Sequence, residues 1–139
     1  MSILKSNLLE DESVEEIHDR YHAESIRLGQ ISRLEQDIKL AEMRLERESA
    51  YLRLEGNKDW KEIVEEGFFK DLANGAIRSL GKGTQGNVPK EEWVEILSSI
   101  GHLQTYLEGV IQFGSKAKVE LPQMKDELAR LKSISAVIN

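Results

Sequence analysis

Two histidines, His18 and His22, stand four residues apart, the spacing at which a helix sets two imidazoles on one face where they could share a metal ion. Glu15 and Asp19 lie beside them. A metal needs a third and fourth ligand, and His102 is the only other histidine. The chain has no cysteine, which excludes thiolate zinc sites, disulfides and Cys nucleophiles. We read the pair as surface residues of a charged helix and expect no metal. Gly81-Lys82-Gly83-Thr84-Gln85-Gly86-Asn87 is rich in glycine, but it lacks the G-x-x-x-x-G-K-[ST] order of a phosphate cradle, and no strand leads into it. It reads as a turn.

Glu10, Asp11, Glu12, Glu15, Glu16 and Asp19 form an acidic run without a base. It reads as a solvated helix start favoured by the helix dipole. No pair of carboxylates is placed in a recognisable cleft, so general acid–base chemistry has nothing specific behind it. The expectation is a protein that is not an enzyme, with no catalytic residue, no cofactor and no small-molecule substrate. Lys116, Lys118, Lys125, Arg130 and Lys132 are the one candidate nucleic-acid surface. They alternate with Glu120, Asp126 and Glu127, as on the flank of a coiled coil. The net charge of −6 and the sequence pI of about 5.2 also argue against broad binding to nucleic acid or anionic membrane. Nucleic acid is therefore not the favoured partner.

The elements that carry these residues are helical. The 139 residues suit one domain, or one extended module that completes its core by oligomerising. Charged residues make up 32% and aromatics 6%, with a mean hydropathy of −0.45, a balance that suits solvated helices and disfavours a β-sandwich. No apolar segment approaches the ~20 residues of a membrane span, and no signal-peptide core follows Met1–Glu10. The expected location is the cytosol.

Residues 1–12 read as a tail, and 13–139 as a single helical coiled-coil domain. Ser13 and Glu16 form a capping box, predicting a first helix over about 14–55. Its apolar series is Val14, Ile17, Tyr21, Leu28, Ile31, Leu34, Ile38, Ala41, Leu45 and Leu52, with Glu24 and Glu48 interrupting the seam. Gly56-Asn57 is the stop, with Gly56 suited to the left-handed C′ position. Asp59 is the expected cap of a second helix over about 59–80, whose stripe is Trp60, Val64, Phe68 and Leu72. Pro89 suits the first position of a third helix over about 89–133. From Ile100 through Leu103, Leu107, Val110, Gly114, Ala117, Leu121, Met124, Leu128 and Leu131 the steps alternate three and four without a slip. Pro122 lies inside this run. The surviving phase favours one helix bent near Lys118 over two helices. Trp60, Phe68, Phe69 and Trp93 are read as the one globular core.

The fold class is thus all-α, a long helical hairpin of three helices. The second helix is too short to cover both long ones. Ile31, Leu34, Ile38 and Leu45, with Leu107, Leu121, Met124, Leu128 and Leu131, are left as interaction residues that pair with each other or with another chain.

Glu66-Gly67-Phe68-Phe69-Lys70-Asp71-Leu72-Ala73, followed by Ser99-Ile100-Gly101-His102-Leu103-Gln104-Thr105-Tyr106-Leu107, resembles a group of small all-helical proteins of tailed bacteriophages. In that group "E-G-(Y/F)-F-K-(D/E)-x-A" precedes "I-x-x-(L/F)-x-x-Y-L". The resemblance covers about residues 60–112, and the glycine-rich loop departs from the acidic or proline-containing loops of the group. It implies a phage origin and a non-enzymatic role. On this basis the expected protein is a virion structural or assembly component, located in the host cytoplasm or incorporated in the virion, that binds itself or another phage protein. The alternative is an accessory binder acting in DNA packaging or recombination, or inhibiting a host factor.

Overall fold

The computed structural model describes residues 2–82 and 88–138, with side chains described for 14–82 and 88–135. The described residues are helical almost throughout and contain no strand. The order is α1 (Ser2–Glu55), α2 (Lys58–Trp60), a π-helical stretch (Lys61–Leu72), α3 (Ala73–Gly81) and α4 (Lys90–Ile138).

Four local expectations are corrected. First, α1 begins at Ser2, so the stretch read as a tail is helical backbone and Ser13 is no N-cap. Residues 2–13 hold neither Pro nor Gly, so nothing stops the helix from propagating upstream of the capping signal. Second, Gly56 does not take the left-handed conformation. The helix ends because Asn57 turns extended, at φ −80° and ψ 128°, with its amide donating to Leu54 O at 2.9 Å. Third, Asn57 rather than Asp59 caps the next helix. Its Oδ1 accepts from the amides of Asp59 at 2.9 Å and Trp60 at 3.1 Å, two of the donors a helix start leaves orphaned. Fourth, Pro89 precedes α4 rather than opening it, and its carbonyl accepts from the Glu92 amide at 3.1 Å.

The expected second helix runs from Lys58 to Gly81, but its middle twelve residues bond i→i+5. The apolar stripe gives a reason. A four-residue repeat drifts by about 40° per step around a helix of 3.6 residues per turn. A wider helix holds Trp60, Val64, Phe68 and Leu72 closer to one line. Gly67 sits over the widened turn, where an added Cβ would meet Glu62 O at 3.3 Å. Helix α4 runs unbroken through Pro122, which leaves the Lys118 carbonyl without its usual donor.

The chain divides into two compact units. One comprises Met1–Ala41 and Glu120–Asn139. In it α1 pairs with the end of α4: Ile38, Ala41 and Leu131 are buried, and Ile31, Leu34, Leu121, Met124 and Leu128 are half-buried. Lys132 Nζ meets Glu35 Oε1 at 3.4 Å. The pair is antiparallel. In a parallel pair the stretch of α4 before Lys132 would cover Val14–Leu28, yet Val14, Ile17, Tyr21 and Leu28 are exposed. The buried residues lie on the other side of Glu35.

The other unit, Glu42–Val119, holds the turn region. Ala76, Ile100, Leu107, Val110, Gly114 and Ala117 are its buried positions, and Leu45 is half-buried. The α4 residues among them fall on the predicted three–four series. Arg44 stacks on the Phe113 ring, 4.7 Å from its centroid, a cation–π contact between α1 and α4.

Candidate functional site

Within the Glu42–Val119 unit, the π-helical stretch leaves a gap beside α4. Trp60, Ile63, Val64, Gly67, Phe68 and Leu72, with Leu103 from α4, line an open and almost wholly apolar groove of about 600 Å³. Gly67 supplies no side chain to fill it. Phe68 and Leu72 also line an adjoining groove of about 410 Å³ with Glu92, Glu95, Ile96 and Ser99. The Ser99 hydroxyl is turned to its own helix, donating to Glu95 O at 2.9 Å. The floor of the two grooves is apolar and one rim is acidic. Such a surface can take apolar side chains from a neighbouring helix.

The aromatic residues are arranged differently from the expected closed core. Trp60, Phe68, Phe69 and Trp93 are each half-buried, and the buried positions of this unit are aliphatic or small. The open groove exposes one side of the Trp60 and Phe68 rings. Phe68 and Phe69 pack against each other at 5.7 Å between centroids, tilted by 57°. The ring partner of Trp60 is Tyr51, edge to face at 6.5 Å, a contact the sequence did not announce because Tyr51 lies one place off the α1 seam. The indole Nε1 of Trp60 is enclosed and makes no hydrogen bond. Burial, then a hydrogen bond to Glu55 and the charges of Glu55 and Glu65, push the Tyr51 hydroxyl up to about 12.

His18 and His22 lie exposed on successive turns of α1, and His102 is exposed on α4. Among the described residues no group of three or more His, Cys, Asp or Glu side chains converges as a metal site. The loop at 83–87 lies outside the described residues. Of the candidate nucleic-acid cations, Arg130 is gripped by Glu127, with Nε donating to Oε2 at 2.9 Å and Nη2 to Oε1 at 2.5 Å. That contact holds the Glu127 carboxyl below the usual range and raises Arg130. Lys132 is engaged by Glu35, while Lys116, Lys118 and Lys125 are exposed on α4. The basic stretch is therefore partly neutralised within the chain.

The residues expected to make interactions are placed in the two α1–α4 seams. Ile31, Leu34, Ile38, Leu121, Met124, Leu128 and Leu131 gather in one unit, and Leu45 and Leu107 in the other. The apolar surface they leave uncovered lies elsewhere, at Val14–Leu28 and at the groove around Trp60. Among the described residues no helix is long and apolar enough to cross a membrane. No protein-family model matches the chain, and no curated protein and no solved structure matches it either.

Proposed function

We propose that the chain is a non-enzymatic, oligomeric helical interaction protein, a structural or assembly component of a tailed-phage virion acting as adaptor, scaffold or accessory protein. The observation that carries this reading is the apolar surface left open on an otherwise charged helical chain. Val14, Ile17, Tyr21 and Leu28 recur at helical spacing on α1 and are all exposed. The groove lined by Trp60, Ile63 and Phe68 is open and apolar. A two-helix pair with so few buried side chains gains stability from further helices laid on it. The partners are further copies of this chain, another phage protein, or both. The phage setting rests on the resemblance of residues 60–112.

Two measurements test the reading. Mass spectrometry of purified particles should find the chain at a fixed copy number, and its absence from particles would remove the virion role. Light scattering at micromolar concentration should give a mass above 15.8 kDa. A monomer that stays soluble without a partner would remove the self-assembly role.

A further inference from the structure

The two grooves of the Glu42–Val119 unit run into one another, since Phe68 and Leu72 line both. Their α4 wall is Glu92, Glu95, Ile96, Ser99 and Leu103, positions that keep to one face of the helix. From Glu92 to Leu103 that wall is about 16 Å long, three helical turns. Its character changes along its length. The Leu103 end shares its groove with Trp60, Ile63 and Val64 and is apolar, whereas the Glu92 end shares its groove with Leu72 and carries two carboxylates. Glu92 lies in the first turn of α4, where the helix dipole accounts for a carboxylate. Glu95 stands a turn further on, where that reason has faded. Both side chains are exposed, and among the described residues neither makes an ion pair. Lys70 is held by Glu66 at 3.0 Å, and Lys82 and Lys90, the nearest cations along the chain, reach neither carboxylate. Residues 83–87 contain no Lys or Arg. The acidic rim therefore has no counter-charge of its own.

We propose that this groove docks a basic amphipathic helix of a different protein, about three turns long, with bulky apolar side chains along one face and Lys or Arg on the flank that meets Glu92 and Glu95. The open shape selects a helix over a small molecule. A small ligand is held by a cleft that closes over most of its surface, whereas a helix fills an open trough with side chains at i, i+3 or i+4, and i+7 and keeps its other face in water. Charge selects the partner. A second copy of this chain would bring a net charge of −6 to an acidic rim, so like charge disfavours it. The apolar end around Trp60, Ile63 and Leu103 supplies the burial, and the two carboxylates set the direction in which the basic helix lies.

The inference deepens the assembly reading above and rests on it, naming the chemistry of one partner. The probe is an amphipathic helical peptide of Leu and Lys, about four turns long, titrated calorimetrically into the full chain. Saturable binding is expected. Glu92→Gln with Glu95→Gln should weaken it about three- to tenfold. Ile63 lines the groove and is 68% exposed, so Ile63→Ser leaves the fold intact, as circular dichroism should show, and should weaken binding about tenfold. Glu92→Lys with Glu95→Lys should turn the preference to a Leu–Glu peptide of the same pattern. Glu15→Gln with Asp19→Asn, exposed on α1, should leave binding unchanged. Equal weakening by that α1 pair would make the binding a response to net charge and overturn the groove. A natural chain that ignores the probe, or binding indifferent to the groove variants, overturns it too. A probe that instead lowers the mass of an oligomer of the chain gives the groove to a second copy and overturns the different partner. The particle measurement stands apart: a chain found in particles that ignores the probe loses this inference alone, and a chain absent from particles that binds it keeps the groove and loses the virion role.

Discussion

Gly114 on α4 stands where the side chain of Glu48 on α1 crosses it, and only the lack of a Cβ at that point lets the crossing occur. A Cβ built there would lie 2.5 Å from Glu48 Cβ, closer than atoms can approach. The passing carboxylate keeps Oε2 enclosed without a hydrogen bond. Gly114→Ala would gain about 1 kcal/mol of helix propensity but should lose about 1–3 kcal/mol to overpacking, a net fall in stability. Thermal melts should show a lower Tm for Gly114→Ala, and Glu48→Ala in the same chain should restore it. Additive effects of the two changes would mean that they do not touch.

Leu107 is buried in the middle of the α4 seam, 8% exposed. Leu107→Asp places a charge there without a partner and should cost about 3–5 kcal/mol, read as a large drop in the urea midpoint. Leu107→Met should cost less than about 1.5 kcal/mol. A tolerated aspartate would place Leu107 at the surface.

Asn57 holds two orphaned amides at the start of α2. Asn57→Ala should destabilise by about 1 kcal/mol, and Asn57→Asp should be close to neutral because an aspartate oxygen can accept from the same amides. Equal losses for both would show that the extended backbone at residue 57, rather than the cap, sets this turn.

The raised Tyr51 hydroxyl predicts an alkaline dependence of stability. Its ordinary value is 10.0 and its folded value about 12, so folding favours the protonated form. The stability from Tyr51 is fully present below pH 10 and is lost as the pH rises through about 12. The stability difference between the natural chain and the Tyr51→Phe variant should therefore be flat below pH 10 and shift in favour of the variant above it. A flat difference across the whole range would mean that the hydroxyl is solvated in the folded state.

Much of the fold was legible because helices repeat. From Ile100 to Leu131 the three–four series needed no revision, since each buried position of α4 lies on it. The start of α1 was misplaced because Ser13-Val14-Glu15-Glu16 is a good local capping signal, and a cap can only be recognised as unused when the helix upstream is seen. The π-helical stretch was hidden for a related reason. Its bonds leave no compositional mark, and the four-residue stripe from Trp60 to Leu72 fits a drifting α-helix nearly as well. The groove around Trp60 followed the same fate: spacing shows that rings share a face, but not whether a neighbour closes over them.

The sequence separation of the contacts predicts an order of assembly in time. Tyr51 and Trp60 are nine residues apart in sequence, whereas Glu35 and Lys132 are separated by 97. Closing the longer loop from an open chain costs about 2 kcal/mol more in chain entropy. The edge-to-face aromatic pair should therefore be in place early, and the Glu35–Lys132 ion pair should be among the last contacts made on folding and the first released on unfolding. A slow folding phase, if one is found, should respond to changes near Lys132 far less than to changes at Trp60.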